Sequence, residues 1–118
     1  MTVTIDMDAI LNNLINDLGP AVYFVLISSE NGVIKKSYIN EDEFNKASIS
    51  LNISQLYELA EETAEGIGLH SPDFNIIHSD NYYILSIKII EHLVILLTED
   101  QVDVKAVFNI INNTVVPP

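Results

Sequence analysis

Cysteine and arginine are both missing from this 118-residue sequence. Without cysteine the chain has no disulfide framework and no thiolate metal ligands. Without arginine it has no bidentate phosphate clamp, no arginine for base recognition and no arginine finger, because each of these depends on a guanidinium group. Its five basic residues are all lysine, and 17 acidic residues bring the net charge to -12. Nucleic acid and anionic membranes are therefore not expected partners, since both repel an acidic surface.

Long hydrophobic runs and an export signal are missing as well. The apolar runs 21–27 and 84–97 are too short, or are interrupted by charged residues, to form a membrane-spanning helix of about 20 residues. The chain starts without a basic segment followed by an apolar one, so we expect a cytoplasmic protein without membrane insertion. With 48% apolar and 19% charged residues, residues 1–118 are expected to fold as a single domain with a loose tail at about 114–118.

Hydrophobic periodicity predicts the order helix, two strands, helix, three strands, helix. The first helix has Asp6 as its cap, and Asp100 is in position to cap the last one. The strands 21–27 and 33–39 flank Ser29-Glu30-Asn31-Gly32, which we interpret as a hairpin turn. It is not a phosphate loop, because the second glycine, the lysine and the following helix of a P-loop are missing.

Three further strands, 74–78, 82–90 and 93–98, form an antiparallel meander with turns at Asp80-Asn81 and Glu91-His92. The segments 21–27 and 93–97 are apolar at every position, which is typical of central strands that are covered on both faces. Lys35 and Lys36 are typical of an edge strand. The sequence therefore predicts an α+β fold, with one antiparallel sheet and helices on both of its faces.

The middle helix is predicted over residues 42–67. At about 100° per residue one narrow arc is apolar and is predicted to be buried, whereas Glu58, Glu61, Glu62 and Glu65 form an opposite, solvated face. The residues of the apolar arc are Ile49, Ile53, Leu56, Ala60, Ala64 and Ile67.

Phe44, Ala47 and Leu51 lie on the same side of this helix as the glutamates and predict a second apolar patch. In an alternative interpretation residues 41–51 form a loop, and the helix begins at Asn52 or Ser54, where side-chain capping is available.

Residues for catalysis or metal binding are not evident. His70, His78 and His92 show no metal-ligand spacing, and nothing in the sequence requires Asp73, His78 and Asp80 to converge on a cation. No serine lies in a G-x-S-x-G elbow, and no acid and base can be paired. We therefore predict no catalytic, cofactor-binding or metal-binding residues, and no enzyme.

Three segments resemble the Roadblock family of dynein light chains and GTPase regulators: VLISSENGVI, QLYELAEETAEGIGL and NIIHSDNYYILSIKIIEHLVILL. The resemblance extends over about residues 14–108. It implies a single five-stranded antiparallel sheet of order 2-1-5-4-3, with no enzymatic chemistry. It also implies a scaffold or regulator of a Ras-like small GTPase, or a cargo-linking subunit of dynein. The acidity of this chain differs from that of eukaryotic light chains, so a prokaryotic or archaeal member is expected.

The family resemblance further implies a homodimer, or a heterodimer with a paralogue, in which middle helices pack together and third strands pair. The implied interface or partner residues are Phe44, Ala47, Leu51, Ser54 and Glu58 on the helix, and Asn75 and Ile77 on the strand. Two alternatives remain. A PAS-like small-molecule sensor has the same sheet order, with several short helices around a ligand cavity, and a longin-like or profilin-like trafficking adaptor has a similar mixed architecture.

Overall fold

The computed structural model describes residues 4–40 and 44–116. Its main sheet is antiparallel and has the order β2-β1-β5-β4-β3, which confirms the expected 2-1-5-4-3 arrangement. The strands β1 and β5, which are apolar through most of their length, are central, and β2 and β3 are the edges. The five strands are β1 (Val22–Ser29), β2 (Ile34–Ile39), β3 (Phe74–Ser79), β4 (Tyr82–Ile89) and β5 (His92–Glu99).

Three helices cover the sheet: α1 (Met7–Leu18), α2 (Lys46–Gly66) and α3 (Val104–Asn112). Helices α1 and α3 pack on one face and α2 packs on the other. Asp6 caps α1 as predicted, because its carboxylate accepts a hydrogen bond from the Ala9 backbone N–H at 3.0 Å. Asp103, and not the predicted Asp100, caps α3. Within the described residues, none of these helices has the length and apolarity needed to cross a membrane.

The two faces of the sheet bury separate apolar clusters, and the central strands contribute to both. On β1, Val25 and Ile27 pack toward α1 and α3, whereas Phe24 and Leu26 pack toward α2. Alternate residues of a strand point to opposite faces, so a strand covered on both sides is apolar at nearly every position. Each fully buried aliphatic side chain contributes about 1.5–3 kcal/mol relative to an exposed one. The double layer of helices therefore accounts for the apolar pattern of β1 and β5.

The turn between β4 and β5 lies one residue earlier than predicted. It consists of Ile90 and Glu91, with φ of 46° and 63°, and His92 is already paired with Ile89. A β-branched residue rarely adopts a positive φ, so nothing in the sequence predicts a turn at Ile90. The Asp80-Asn81 turn is at its predicted position.

Helix α2 begins at Lys46, where the Asn45 side chain accepts a hydrogen bond from the Ser48 backbone N–H at 3.1 Å. The predicted start at residue 42 lies outside the described residues. The alternative start at Asn52 or Ser54 is wrong, because Asn45 already supplies the cap.

The end of the chain also departs from the expectation. Val115–Val116, which were expected to form part of a loose tail, pair in antiparallel fashion with Thr4–Ile5. This pairing joins the two ends of the described chain and provides backbone hydrogen-bond partners to both segments. Residues 117–118 of the expected tail lie outside the described residues.

Candidate partner-binding surface

The β1–β2 turn packs against α2. Gly32 has φ of 88° and donates its backbone N–H to the Ser29 carbonyl at 3.0 Å, which confirms the predicted turn. The Ser50 hydroxyl donates to the Gly32 carbonyl at 2.8 Å. A Cβ atom at Gly32 would lie 2.9 Å from Ser54 Oγ and 3.0 Å from Leu51 Cα, so the contact requires glycine. The turn therefore anchors the β1–β2 hairpin to the helix.

A charged cleft lies beside this anchor. Lys88 Nζ on β4 is 2.9 Å from Glu61 Oε2 on α2 and 3.2 Å from Glu30 Oε1 in the turn. The pKa of Lys88 is raised chiefly by the hydrogen bond to Glu61, against the opposing effect of burial. Lys88 thus pairs with two glutamates of the cleft and connects β4, α2 and the β1–β2 turn. We call it the Lys88 cleft; it has a volume of about 270 Å³ and is lined by Glu30, Asn31, Ser54, Tyr57, Glu58, Glu61, Lys88 and Leu93.

The buried face of α2 differs from the predicted arc. Leu56 and Ile67 were expected to be buried, but they are 38% and 72% exposed. The buried positions on the helix are Ser50, Ile53, Ser54 and Tyr57. Small serine side chains let the turn approach closely, so the helix presents Ser50 and Ser54 inward and turns its leucines outward. Two serines one turn apart were the sequence signal for this contact.

Tyr57 extends the buried face toward β3. Its side chain is 1% exposed, and its hydroxyl donates to the Pro72 carbonyl at 2.7 Å, just before β3 begins. Burial raises the pKa of Tyr57, so the hydroxyl stays protonated as a donor. This hydrogen bond places α2 close to the segment that leads into the edge strand.

The opposite side of α2 is exposed and largely uncharged. Leu51 and Leu59 are 48% and 58% exposed. In a chain with net charge -12, an uncharged helical surface is unusual and is typical of a surface that a partner covers. We define the α2 outer face as Ala47, Ser48, Leu51, Asn52, Gln55, Leu56 and Leu59, all exposed and without charge.

The two edge strands have opposite chemistry. Strand β2 carries Lys35 and Lys36, both exposed, and has an irregularity in its pairing beside them, between Ile34 and Lys36. Strand β3 has the sequence FNIIHS, with no lysine or proline, and its Phe74 and Ile76 are 39% and 41% exposed. Lysines and bulges protect an edge against pairing with another chain, and β3 has neither.

The residues expected at the interface fall into two groups. Ala47, Leu51 and Glu58 are exposed on α2, whereas Phe44 is half-buried and Ser54 is buried. Phe44 precedes the helix and packs edge-on against Phe24, with ring centroids 5.3 Å apart. Ser54 is 5% exposed beneath the turn. Sequence reasoning did not identify Leu56 and Leu59 as exposed.

On β3, Asn75 and Ile77 are half-buried and lie on the α2 side of the sheet, because Ile77 packs in the same cluster as Ile53 and Tyr57. The alternate residues Phe74 and Ile76 lie on the opposite side. Ile77 thus joins β3 to the buried side of α2 in one apolar cluster, whereas the N-terminal part of the helix is bonded to the β1–β2 hairpin through Lys46 and Ser50.

No protein-family model and no curated protein matches this sequence. Among solved structures, MglB from Myxococcus xanthus has a TM-score of 0.80 with 12% identity, over 92% of this chain and 87% of that chain. A Roadblock/LC7 domain from Streptomyces avermitilis has a TM-score of 0.79 with 14% identity, over 92% of this chain and 91% of that one. The present chain therefore has the Roadblock/LC7 fold.

The alternatives describe the chain less well than the Roadblock/LC7 fold does. Profilin II from Acanthamoeba castellanii has a TM-score of 0.55 with 11% identity, over 89% of each chain. The single 21-residue α2 replaces the several short helices that a PAS-like domain would have. At such low identity the comparison shows the fold alone.

Proposed function

We propose that the protein is a non-enzymatic homodimeric scaffold or regulator that binds a Ras-like small GTPase. The family resemblance of the sequence and the Roadblock/LC7 fold support this function. The observation that carries it is that the chain, although strongly acidic, has both an uncharged α2 outer face and an unprotected β3 edge.

In the proposed dimer, β3 pairs in antiparallel fashion with β3 of a second copy. Such a pair is two-fold symmetric, so the same residues of both copies meet, and the two sheets become one. The pairing would supply partners for the backbone N–H and C=O groups on the outer side of β3. It would also place both α2 helices on one face of the joined sheet. The leucines of the α2 outer face would then be covered by the other copy.

The GTPase is proposed to bind at the paired α2 helices. The exposed glutamates Glu58, Glu62 and Glu65 border the uncharged outer face and favour a partner with a basic rim. The chain cannot donate an arginine finger, because it contains no arginine. Any effect on nucleotide hydrolysis would therefore have to act through the residues of the GTPase itself.

The dimer is tested by light-scattering mass. We expect the wild-type protein to have the mass of two chains, and the double variant Leu51→Glu/Leu59→Glu to have the mass of one. The control is Val33→Glu, at a 59% exposed residue beside the other edge strand, which should remain dimeric. A wild-type monomer, or equal dissociation by the control, would contradict the interface.

The GTPase is tested separately by titration calorimetry. The partners tested are the Ras-like GTPases of the same genome, each loaded with GDP or with a non-hydrolysable GTP analogue. We expect binding in at least one nucleotide state, and weaker binding by Leu51→Glu/Leu59→Glu than by Val33→Glu. No association in either state would overturn the GTPase assignment and leave the dimer standing.

A further inference from the structure

Two tyrosines form an aromatic corner at the end of β4 opposite to Lys88. The rings of Tyr23 on β1 and Tyr82 on β4 meet edge to face, with centroids 5.4 Å apart and planes at 79°. The Tyr23 hydroxyl donates to Glu99 Oε1 at 3.2 Å. We call this corner the tyrosine shelf; it lines an open depression of about 590 Å³ together with Asn81, Asp100 and Gln101.

The backbone fixes the parts of the shelf. Tyr82 and Glu99 are cross-strand partners, so their side chains lie next to one another on the same face of the sheet. The Asp100 backbone N–H donates to the Asn81 carbonyl at 2.9 Å, which ties the β3–β4 turn to the end of β5. Tyr82 is 39% exposed, so its ring remains accessible. A site held on strands in this way needs little reorganisation to bind a ligand.

The charge of the shelf differs from that of the Lys88 cleft, although both lie on the α2 side of the sheet. The cleft holds a lysine between two glutamates. In residues 4–40 and 44–116 no lysine makes a salt bridge to Glu99 or Asp100, and His78 Nε2 lies 3.4 Å from Asp100 Oδ2. Burial, and then the neighbouring Glu99, raise the pKa of Tyr23, so its hydroxyl stays a donor to that carboxylate. The shelf thus combines aromatic rings and carboxylates without a lysine.

We propose that the tyrosine shelf binds an arginine side chain of a protein partner. A guanidinium group is planar, stacks on an aromatic ring and pairs with a carboxylate through two parallel hydrogen bonds, which fits an exposed Tyr82 ring beside Glu99. This chain has no arginine, so the occupant comes from a different protein and not from a second copy. The shelf lies at the far end of β4 from the Lys88 cleft and is separate from the α2 outer face. The proposal does not depend on the partner being a GTPase.

The test uses the full chain, with N-acetyl-arginine amide as the probe in an NMR titration. One ion pair and one stacked ring correspond to a dissociation constant on the order of 10 mM. We expect saturating shifts at Tyr23, Tyr82 and Asp100, and severalfold weaker binding of N-acetyl-lysine amide. No saturation at the shelf, stronger shifts around the Lys88 cleft, or equal binding of both probes would overturn the proposal.

Two variants assign the binding to named groups. Glu99→Gln should weaken binding of the arginine probe at least fivefold. Glu91→Gln, which removes the same charge from an exposed turn, should leave that binding unchanged. Equal weakening by both variants would show a general charge effect and overturn the site. If Glu99→Gln disturbs the fold, Tyr82→Ser is the second variant. It removes the ring at an exposed position, and unchanged probe binding by it would also overturn the proposal.

Discussion

The two edge strands of the sheet differ in their protection against pairing with another chain. Strand β2 is protected, and we call it the closed edge; strand β3 is unprotected, and we call it the open edge. Strand β2 has lysines at positions 35 and 36, an irregular pairing beside them and a turn that is bonded to α2 through Gly32 and Ser50. Strand β3 has no lysine and no irregular pairing, and its Phe74 and Ile76 are exposed. An unprotected edge exposes a row of backbone groups that can pair with another chain. The difference supports the proposed interface at β3 and accounts for a structural anchor at β2.

Gly32→Ala is expected to have the largest effect, because it breaks the anchor of the protected edge. The alanine would have to adopt a φ near 88°, and its Cβ would contact Ser54 Oγ and Leu51 Cα at 3.0 Å or less. We expect the free energy of unfolding to fall by about 2–4 kcal/mol in urea denaturation.

The matched control is Gly68→Ala. Gly68 also has a positive φ, 85°, but nothing lies within 4 Å of its Cβ position. Gly68→Ala should lower the free energy of unfolding only by the cost of the positive φ, about 1–2 kcal/mol. Equal losses in the two variants would mean that the turn does not press against α2, and the contrast between the edges would then rest on the lysines and the irregular pairing of β2.

Ile76→Lys gives β3 the chemistry of β2 and should have the next largest effect. Ile76 is 41% exposed on the open edge, and a lysine there would face the equivalent lysine of the second copy across or near the dyad. Like charges in cross-strand positions destabilise pairing, so we expect the dimer dissociation constant to rise about 10- to 100-fold. Sedimentation equilibrium measures it. Val33→Lys, next to the closed edge, is the control, and a dimer that tolerates Ile76→Lys equally well does not use β3.

Much of this fold could be predicted from the pattern of apolar residues. The continuous apolar runs identified β1 and β5 as central strands, and Lys35 and Lys36 identified an edge. Both inferences depend on burial, which a sequence encodes directly through the period of its side chains. The order of all five strands needed the family resemblance in addition.

The surface of α2 was less predictable, because small and polar residues determined which side faces inward. Ser50 and Ser54 are buried since Gly32 approaches them, and Leu56 is exposed as a consequence. An apolar arc at helical spacing cannot show that a turn from another part of the chain will pack on serines. The Ile90-Glu91 turn was missed for a similar reason, because the strand pairing imposes a positive φ that isoleucine alone disfavours.

Lys88→Met should have the smallest effect, and it tests whether charge helps to hold the closed edge. Lys88 joins the β1–β2 turn to α2 through Glu30 and Glu61, and its side chain is 30% exposed. We expect the free energy of unfolding to fall by about 1 kcal/mol at neutral pH, because Glu61 loses its cation while half-buried.

The raised pKa of Lys88 means that the ion-pair contribution to stability is complete below the unfolded-state pKa of about 10.4 and disappears as the pH rises through the higher folded-state pKa. Urea denaturation of both proteins, at neutral pH and above pH ~11, measures this difference. Lys36→Met, which removes a more exposed ion pair with Asp8, should change little at either pH. A Lys88→Met deficit that persists unchanged above the lysine pKa would mean that the aliphatic part of the side chain, and not its charge, holds the turn on the helix.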